Sequence, residues 1–167
     1  MREFQDGSRD AFDELFARYR APLYGFFRRR LGPPAERSED LTQETFLAVL
    51  HAVRRYEPRA TVRTYLYAIA LNLLASERRR RVHSPGEGSF GGNEPTSDFQ
   101  PDNGLWVQQA MEKLDETERE ILMLREFEEL SYAEISRLQR IPVNTVRSRL
   151  FRARLALKAK LEVSHEN

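Results

Sequence analysis

The sequence predicts an all-α protein made of two small helical lobes joined by a flexible linker. Three observations point there. Apolar residues recur at steps of three and four in both halves, no stretch alternates with the period of two that a half-buried strand needs, and a polar tract separates the halves. A chain of 167 residues can form one domain or two, and the tract favours two. Lobes this small bury a modest share of their unfolded surface and tend to gain stability from partners.

From Ser8 to Leu31 the residues Phe12, Leu15, Phe16, Tyr19, Leu23, Phe26, Phe27 and Leu31 trace one helical face, with Pro22 expected to mark a kink or a break between two helices. Gly32-Pro33-Pro34 ends this element. A second helical pattern covers 35–56, and Glu57-Pro58-Arg59 forms a loop. A third helix is expected over 62–81, with Tyr65, Leu66, Ile69, Leu73 and Leu74 as its apolar stripe, closing on Arg78-Arg79-Arg80-Arg81. Such a basic run suits the negative end of the helix dipole in any protein, although four arginines exceed what capping needs.

Residues 82–104 are rich in Gly, Ser, Pro, Asn and Asp and too poor in apolar side chains to hold a core, which predicts the linker. The lobes therefore span 1–81 and 105–167. Four helices are expected in the second, over 105–114, 116–128, 132–139 and 142–162, and no repeat suggests a solenoid.

Net charge is only +1, but it is segregated. Between Glu112 and Glu134 stand nine acidic and three basic residues, whereas Ile135 to Leu161 holds eight basic residues and no acidic one. One side of the second lobe can thus face a polyanion while the molecule stays near neutral. The chain has no cysteine, which excludes disulfides and thiolate metal sites. It shows no apolar signal core and no run long enough to span a bilayer, so the expectation is a cytoplasmic protein without membrane insertion. His51, His83 and His165 are scattered, and neither a nucleophile-base arrangement nor a phosphate loop appears; an enzyme, a metal site and a cofactor are not expected.

Ser131-Tyr132-Ala133-Glu134 has the form of a capping box and starts a short helix that carries Ile135 and Leu138 inward. After Gln139-Arg140-Ile141 a second helix restarts at Pro142, whose missing N–H suits a first turn. Two helices joined by so tight a turn make a helix-turn-helix. In the second, Val146, Leu150, Ala153 and Leu157 can face the core, leaving Arg147, Ser148, Phe151, Arg152 and Arg154 on other sides. Arginines on such a helix can pair with guanine edges, each worth roughly 1–3 kcal/mol of discrimination, or meet phosphates. A plain three-helix bundle with a basic face fits the same spacing.

Here the sequence resembles a known family. Glu118-Arg119-Glu120-Ile121-Leu122, Leu130-Ser131-Tyr132-Ala133-Glu134-Ile135 and the run Thr145 to Arg154 look like region 4 of the extracytoplasmic-function sigma factors of the sigma-70 family, and Asp40-Leu41-Thr42-Gln43-Glu44-Thr45-Phe46 resembles region 2. The resemblance implies a sigma factor that binds core RNA polymerase and promoter DNA and directs transcription initiation. It assigns polymerase binding to Asp40, Gln43, Glu44 and Phe46, where the spacing alone puts the three polar residues on one helix face with Phe46 turned inward. It assigns the minus-10 element to the stretch Glu57 to Arg81, with Arg59, Arg63, Tyr65, Tyr67, Asn72 and Arg78 as contacts; Tyr67 fits a core position equally well. It assigns the minus-35 element to Arg125, Arg147, Ser148, Arg149, Phe151 and Arg152, among which Arg149 fits a buttress and Phe151 a core position. It further implies an anti-sigma factor as a partner.

The chain departs from the family pattern in places. Tyr65-Leu66-Tyr67-Ala68-Ile69-Ala70-Leu71-Asn72 lacks a tryptophan and two arginines usual there. Leu114-Asp115 replaces the common Leu-Pro, and Arg140 and Asn144 stand where glycines are frequent. Asparagine tolerates unusual backbone angles, so the turn is expected to survive. The rival readings are an operator-binding regulator that never meets polymerase, and a helical adaptor with no nucleic-acid role.

Overall fold

The computed structural model describes residues 1–57, 59–83 and 104–165, and the chain packs as two compact units, Met1–Glu94 and Pro95–Asn167. The N-terminal unit holds α1 (Arg2–Gln5), α2 (Arg9–Leu31), α3 (Ala35–Ala52), a 3-10 turn (Val53–Arg55) and α4 (Val62–His83). The C-terminal unit holds α5 (Gly104–Glu112), α6 (Glu116–Leu122), a π turn (Met123–Phe127), α7 (Tyr132–Gln139) and α8 (Val143–His165). No strand occurs among the described residues. The expected linker at 82–104 lies outside them except at its ends, where 82, 83 and 104 are helical.

In the first unit α3 packs against both α2 and α4. The Ser8 hydroxyl caps α2 by accepting from the Ala11 N–H at 3.3 Å. The helix ends at Gly32, whose φ of +65° is the left-handed region that glycine enters without strain. Pro22 neither ends nor splits α2, which runs unbroken from Arg9 to Leu31. An interior proline costs about 3 kcal/mol. Leu15 on one side of it, and Leu23, Phe26, Phe27 and Leu31 on the other, are buried and stabilise the helix by roughly 1.5–3 kcal/mol apiece. Leu23, Phe26, Phe27, Leu41, Val49, Leu66 and Leu74 are each at 2% exposure or less and form the core of the unit.

In the second unit Asp115, standing where a proline is common, is the N-cap of α6: its carboxylate accepts from the Glu118 N–H at 2.8 Å. The single helix expected over 116–128 is α-helical only to Leu122 and continues as the π turn. Ile121, Leu122, Met123 and Leu124 are all buried, although four successive side chains on an α-helix sweep most of its circumference. The widened turn redirects the later ones, and the Glu128 N–H reaches back five residues to the Met123 carbonyl at 3.2 Å.

The capping box forms as expected: the Glu134 N–H donates to the Ser131 hydroxyl at 3.2 Å and the Ser131 N–H donates to the Glu134 carboxylate at 2.9 Å. The left-handed residue of the following turn is Arg140 (φ 54°, ψ 43°), whereas Asn144 lies inside α8. The Ile141 N–H bonds to the Ser136 carbonyl at 3.1 Å, and the Ser136 hydroxyl donates to the Ile141 carbonyl at 2.6 Å. These bonds hold the turn in a conformation that an L side chain resists by about 1–2 kcal/mol. Arg140→Gly is therefore expected to raise the stability of the second unit by about 1 kcal/mol after glycine's own entropic cost, read as a higher urea midpoint.

Candidate nucleic-acid interface

The residues singled out in the sequence gather on three helix surfaces. On α3, Asp40 and Gln43 are exposed and Glu44 is half-buried, along one face of the helix. Leu47 (52% exposed) and Leu50 (40%) continue the same face, so the surface is apolar as well as acidic. Sequence reasoning missed both leucines, although position 47 follows Gln43 by four. Phe46 lies at 3% exposure in the core, its ring 4.8 Å from Phe16 and edge-on to Phe12 at 6.3 Å. It supports the face from beneath.

Arg37 organises the charges of that face. Its guanidinium donates to Glu77 on α4 at 2.6 Å and to Glu44 at 3.1 Å, with Asp40 at 3.7 Å. Glu77 is buried and also accepts from Arg81 at 3.2 Å, with Arg80 at 3.9 Å. The Arg37 hydrogen bond holds the Glu77 carboxyl below the usual carboxylate range against the opposing effect of burial, and Arg81 adds to it. The same bond raises Arg37 above its ordinary value.

On α4, Tyr65 and Asn72 share an outward face, one half-buried and one exposed, and exposed Ser76 and Arg79 extend it. Arg79 donates to the Ser76 hydroxyl at 3.0 Å. Burial, aided by Tyr56, raises the Tyr65 phenol above its ordinary value, so the ring is neutral at physiological pH. It meets Tyr56 edge-on at 4.8 Å. Tyr67 is a core residue at 3% exposure, packed 5.4 Å from Phe26. Arg78 is exposed at the C-terminal end of α4, Arg63 is half-buried in its first turn, and Arg59 is exposed in the preceding loop, ion-paired with Glu57. These three do not join the face of Tyr65 and Asn72. Of the missed pair, Ser76 and Arg79, the arginine was legible as part of the basic run, and its seven-residue step from Asn72 was the available signal.

On α8, Val146, Leu150 and Ala153 are fully buried, and the opposite face carries exposed Arg147, Ser148, Phe151 and Arg152. Phe151 is 64% exposed and so is no core residue, and Leu155 at 52% joins it. Arg149 sits on the flank, half-buried. Arg125 is separate from this face: its guanidinium donates to the Leu130 carbonyl at 2.9 Å and lies 5.3 Å from the Tyr132 ring, which fastens the loop ahead of α7. Arg154 pairs with Glu126 of the π turn at 2.8 Å.

This arrangement is a helix-turn-helix whose second helix turns cations and an aromatic ring to solvent, and an N-terminal helical unit with an acidic-apolar face on α3 and a separate aromatic-polar one on α4. Residues 15–83 match the family model described as sigma-70 region 2, and residues 104–157 match the one described as sigma-70, region 4. The RNA polymerase sigma-H factor of Pseudomonas aeruginosa is 32% identical over 95% of this chain and 90% of its own length. The chain belongs to the sigma-70 family. The extracytoplasmic-function (ECF) RNA polymerase sigma-E factor of Salmonella typhimurium is 30% identical, again over 95% of this chain and 90% of that protein, which places this sigma factor in the ECF group. A solved structure of CnrH in complex with the cytosolic domain of CnrY is similar, with a TM-score of 0.69 and 25% identity over 95% of this chain and 92% of that one. With both regions matched in order, this is a transcription initiation factor, and the operator-binding regulator and the adaptor have no support. No described helix of this sigma factor is long and apolar enough to cross a membrane.

The Glu77 pairing has a measurable signature. Its folded value lies below its unfolded one, so its contribution to stability is in place above the ordinary 4.5 and is lost as pH falls through the lowered folded value. Glu77→Gln is expected to cost about 2 kcal/mol at neutral pH. It should also flatten the acid limb of the stability curve, read from denaturant midpoints as pH is taken from neutral to below 4.5.

Proposed function

We propose that this sigma factor docks on core RNA polymerase through region 2 (1–81), with Asp40, Gln43 and Glu44 supplying charge and hydrogen bonds, Leu47 and Leu50 apolar contact, and Phe46 support from within. The loop ahead of α4 and the outward face of α4 then capture the melted strand at the minus-10 element. Tyr65 offers a neutral plane for stacking, Asn72 a hydrogen-bonding amide, and Arg59, Arg63, Arg78 and Arg79 charge for phosphate. Tyr67 shapes the helix from the core. Region 4 (105–167) reads the minus-35 duplex with Arg147, Ser148, Phe151 and Arg152 of α8, while Arg149 and Arg125 hold the reading helix and its preceding loop. The linker of 82–104 lets the regions work at separate promoter elements.

The observation that carries this reading is the face of α8. The side chains a reading helix needs are gathered opposite the buried Val146, Leu150 and Ala153 and left exposed. The protein acts by binding, without catalysis of its own, in the cytoplasm where polymerase works. An anti-sigma protein restrains it, in keeping with the similar CnrH, whose structure is a complex with a domain of CnrY.

Run-off transcription from a genomic fragment library, with core polymerase alone and with this protein added, tests the reading. Transcripts that start downstream of a shared two-element motif only when the protein is present support it, and an unchanged start-site pattern with the cognate core enzyme refutes it. Arg147→Ala is expected to weaken minus-35-dependent transcription by about tenfold or more through lost base contact. Arg152→Ala, which removes a cation placed for phosphate, is expected to lower the salt slope of promoter binding by about one.

A further inference from the structure

The first turn of helix lies ahead of residue 15, where the region 2 match begins, and nothing in promoter reading has so far used it. It is nevertheless tightly placed. Met1 and Phe4 pack on the core cluster of Leu15, Val49 and Leu66, and the Phe4 ring lies 5.1 Å from Phe12. Gln5, at its end, sends its side-chain amide to two carbonyls far away in sequence, donating to Val53 at 2.9 Å and to Tyr56 at 2.7 Å. Both carbonyls belong to the chain just past the end of α3, where that of Val53 also accepts from the Tyr56 N–H at 3.1 Å.

From Tyr56 the backbone turns extended and enters the loop that leads to α4. The Tyr56 ring is buried against Tyr65, and its hydroxyl donates to the Ala60 carbonyl at 3.3 Å. At the far end Thr61 accepts from the Thr64 N–H at 3.1 Å. The described residues of the loop are thus held at the entrance by Gln5, at Ala60 by Tyr56 and at the exit by Thr61.

We infer that α1 is a brace for the minus-10 capture loop, with Gln5 as the positioning residue that holds the loop entrance in its strand-binding shape. This rests on the proposed reading of the loop and α4. A loop held in its bound shape before the strand arrives loses less entropy on binding, so the brace acts on capture of the melted strand and leaves docking on polymerase untouched.

The test uses Gln5→Met, which keeps length and packing but removes both donors, and Tyr56→Phe, which keeps the ring stack and removes only the bond to Ala60. Each variant is assembled into holoenzyme with core polymerase. Three quantities are read: affinity for core, affinity for duplex carrying the minus-35 element, and affinity for single-stranded oligonucleotides carrying the minus-10 sequence found by run-off mapping. The expected result is a loss of single-strand affinity of about tenfold for Gln5→Met and a smaller loss for Tyr56→Phe, with core and duplex affinities unchanged. Wild-type single-strand affinity in both variants overturns the inference. An equal fall in core affinity also overturns it, because the turn is then only a part of the fold. A wild-type holoenzyme indifferent to the minus-10 sequence overturns the reading of α4 itself, which the other two outcomes leave standing.

Discussion

The N-terminal unit depends on a carboxylate that has been taken out of water. Glu77 is buried on α4, and a charge in that position is tolerable only when it is paired and hydrogen-bonded. Arg37 meets the requirement from α3, so the pair fixes how these two helices lie against each other. The guanidinium is not used up by this contact. Its other nitrogen faces Glu44, with Asp40 nearby, and the potential of the outer face of α3 is therefore set partly by a residue on α4. A basic partner arriving at α3 meets carboxylates already oriented by a cation, which trades raw attraction for a defined geometry.

Burial then decides which side chains remain for binding. Phe46 and Tyr67 bear the chemistry of an interface, yet both are committed to the aromatic core beside Phe16 and Phe26. Leu47, Leu50, Phe151 and Leu155 are the converse, apolar side chains left in solvent, in pairs that share a helix face with charged or polar residues. Apolar area left exposed beside charge is the usual composition of a surface that is covered by a partner. The near-zero net charge of the chain conceals this division, since the cations of α8 are offset by acids on α6, the π turn and α7, of which Glu126 in the π turn is tied directly to Arg154.

The long helices were legible because their apolar period is continuous and their ends are marked by Ser8, Gly32, Ser131 and Pro142, each acting through its own local backbone. The helix-turn-helix was legible for the same reason, and α7 spans the predicted residues. What was not legible depends on burial and on side-chain partners that no helical period reports. Pro22 looks like a break until the burial on both sides of it is weighed. Arg125 reads in the sequence only as a cation, and its bond to the Leu130 carbonyl and its contact with the Tyr132 ring carry no signal in the spacing. The Arg37–Glu77 pair joins residues 40 apart, and Gln5 reaches partners 48 and 51 residues away, separations that no helical period reports.

The π turn at Met123–Phe127 carries a consequence for how this region can change over evolutionary time. A π turn is in effect an α-helix with one residue too many, and loss of a single residue there restores the ordinary period. The side chains of the turn itself would then be re-aimed, by up to about 100°, the angle that one residue spans on an α-helix. Glu126 would leave Arg154, and Arg125 would leave the Leu130 carbonyl. Because those two contacts tie the turn to the loop ahead of α7 and to α8, a deletion of one codon would release both ties without altering any residue on the exposed face of the reading helix.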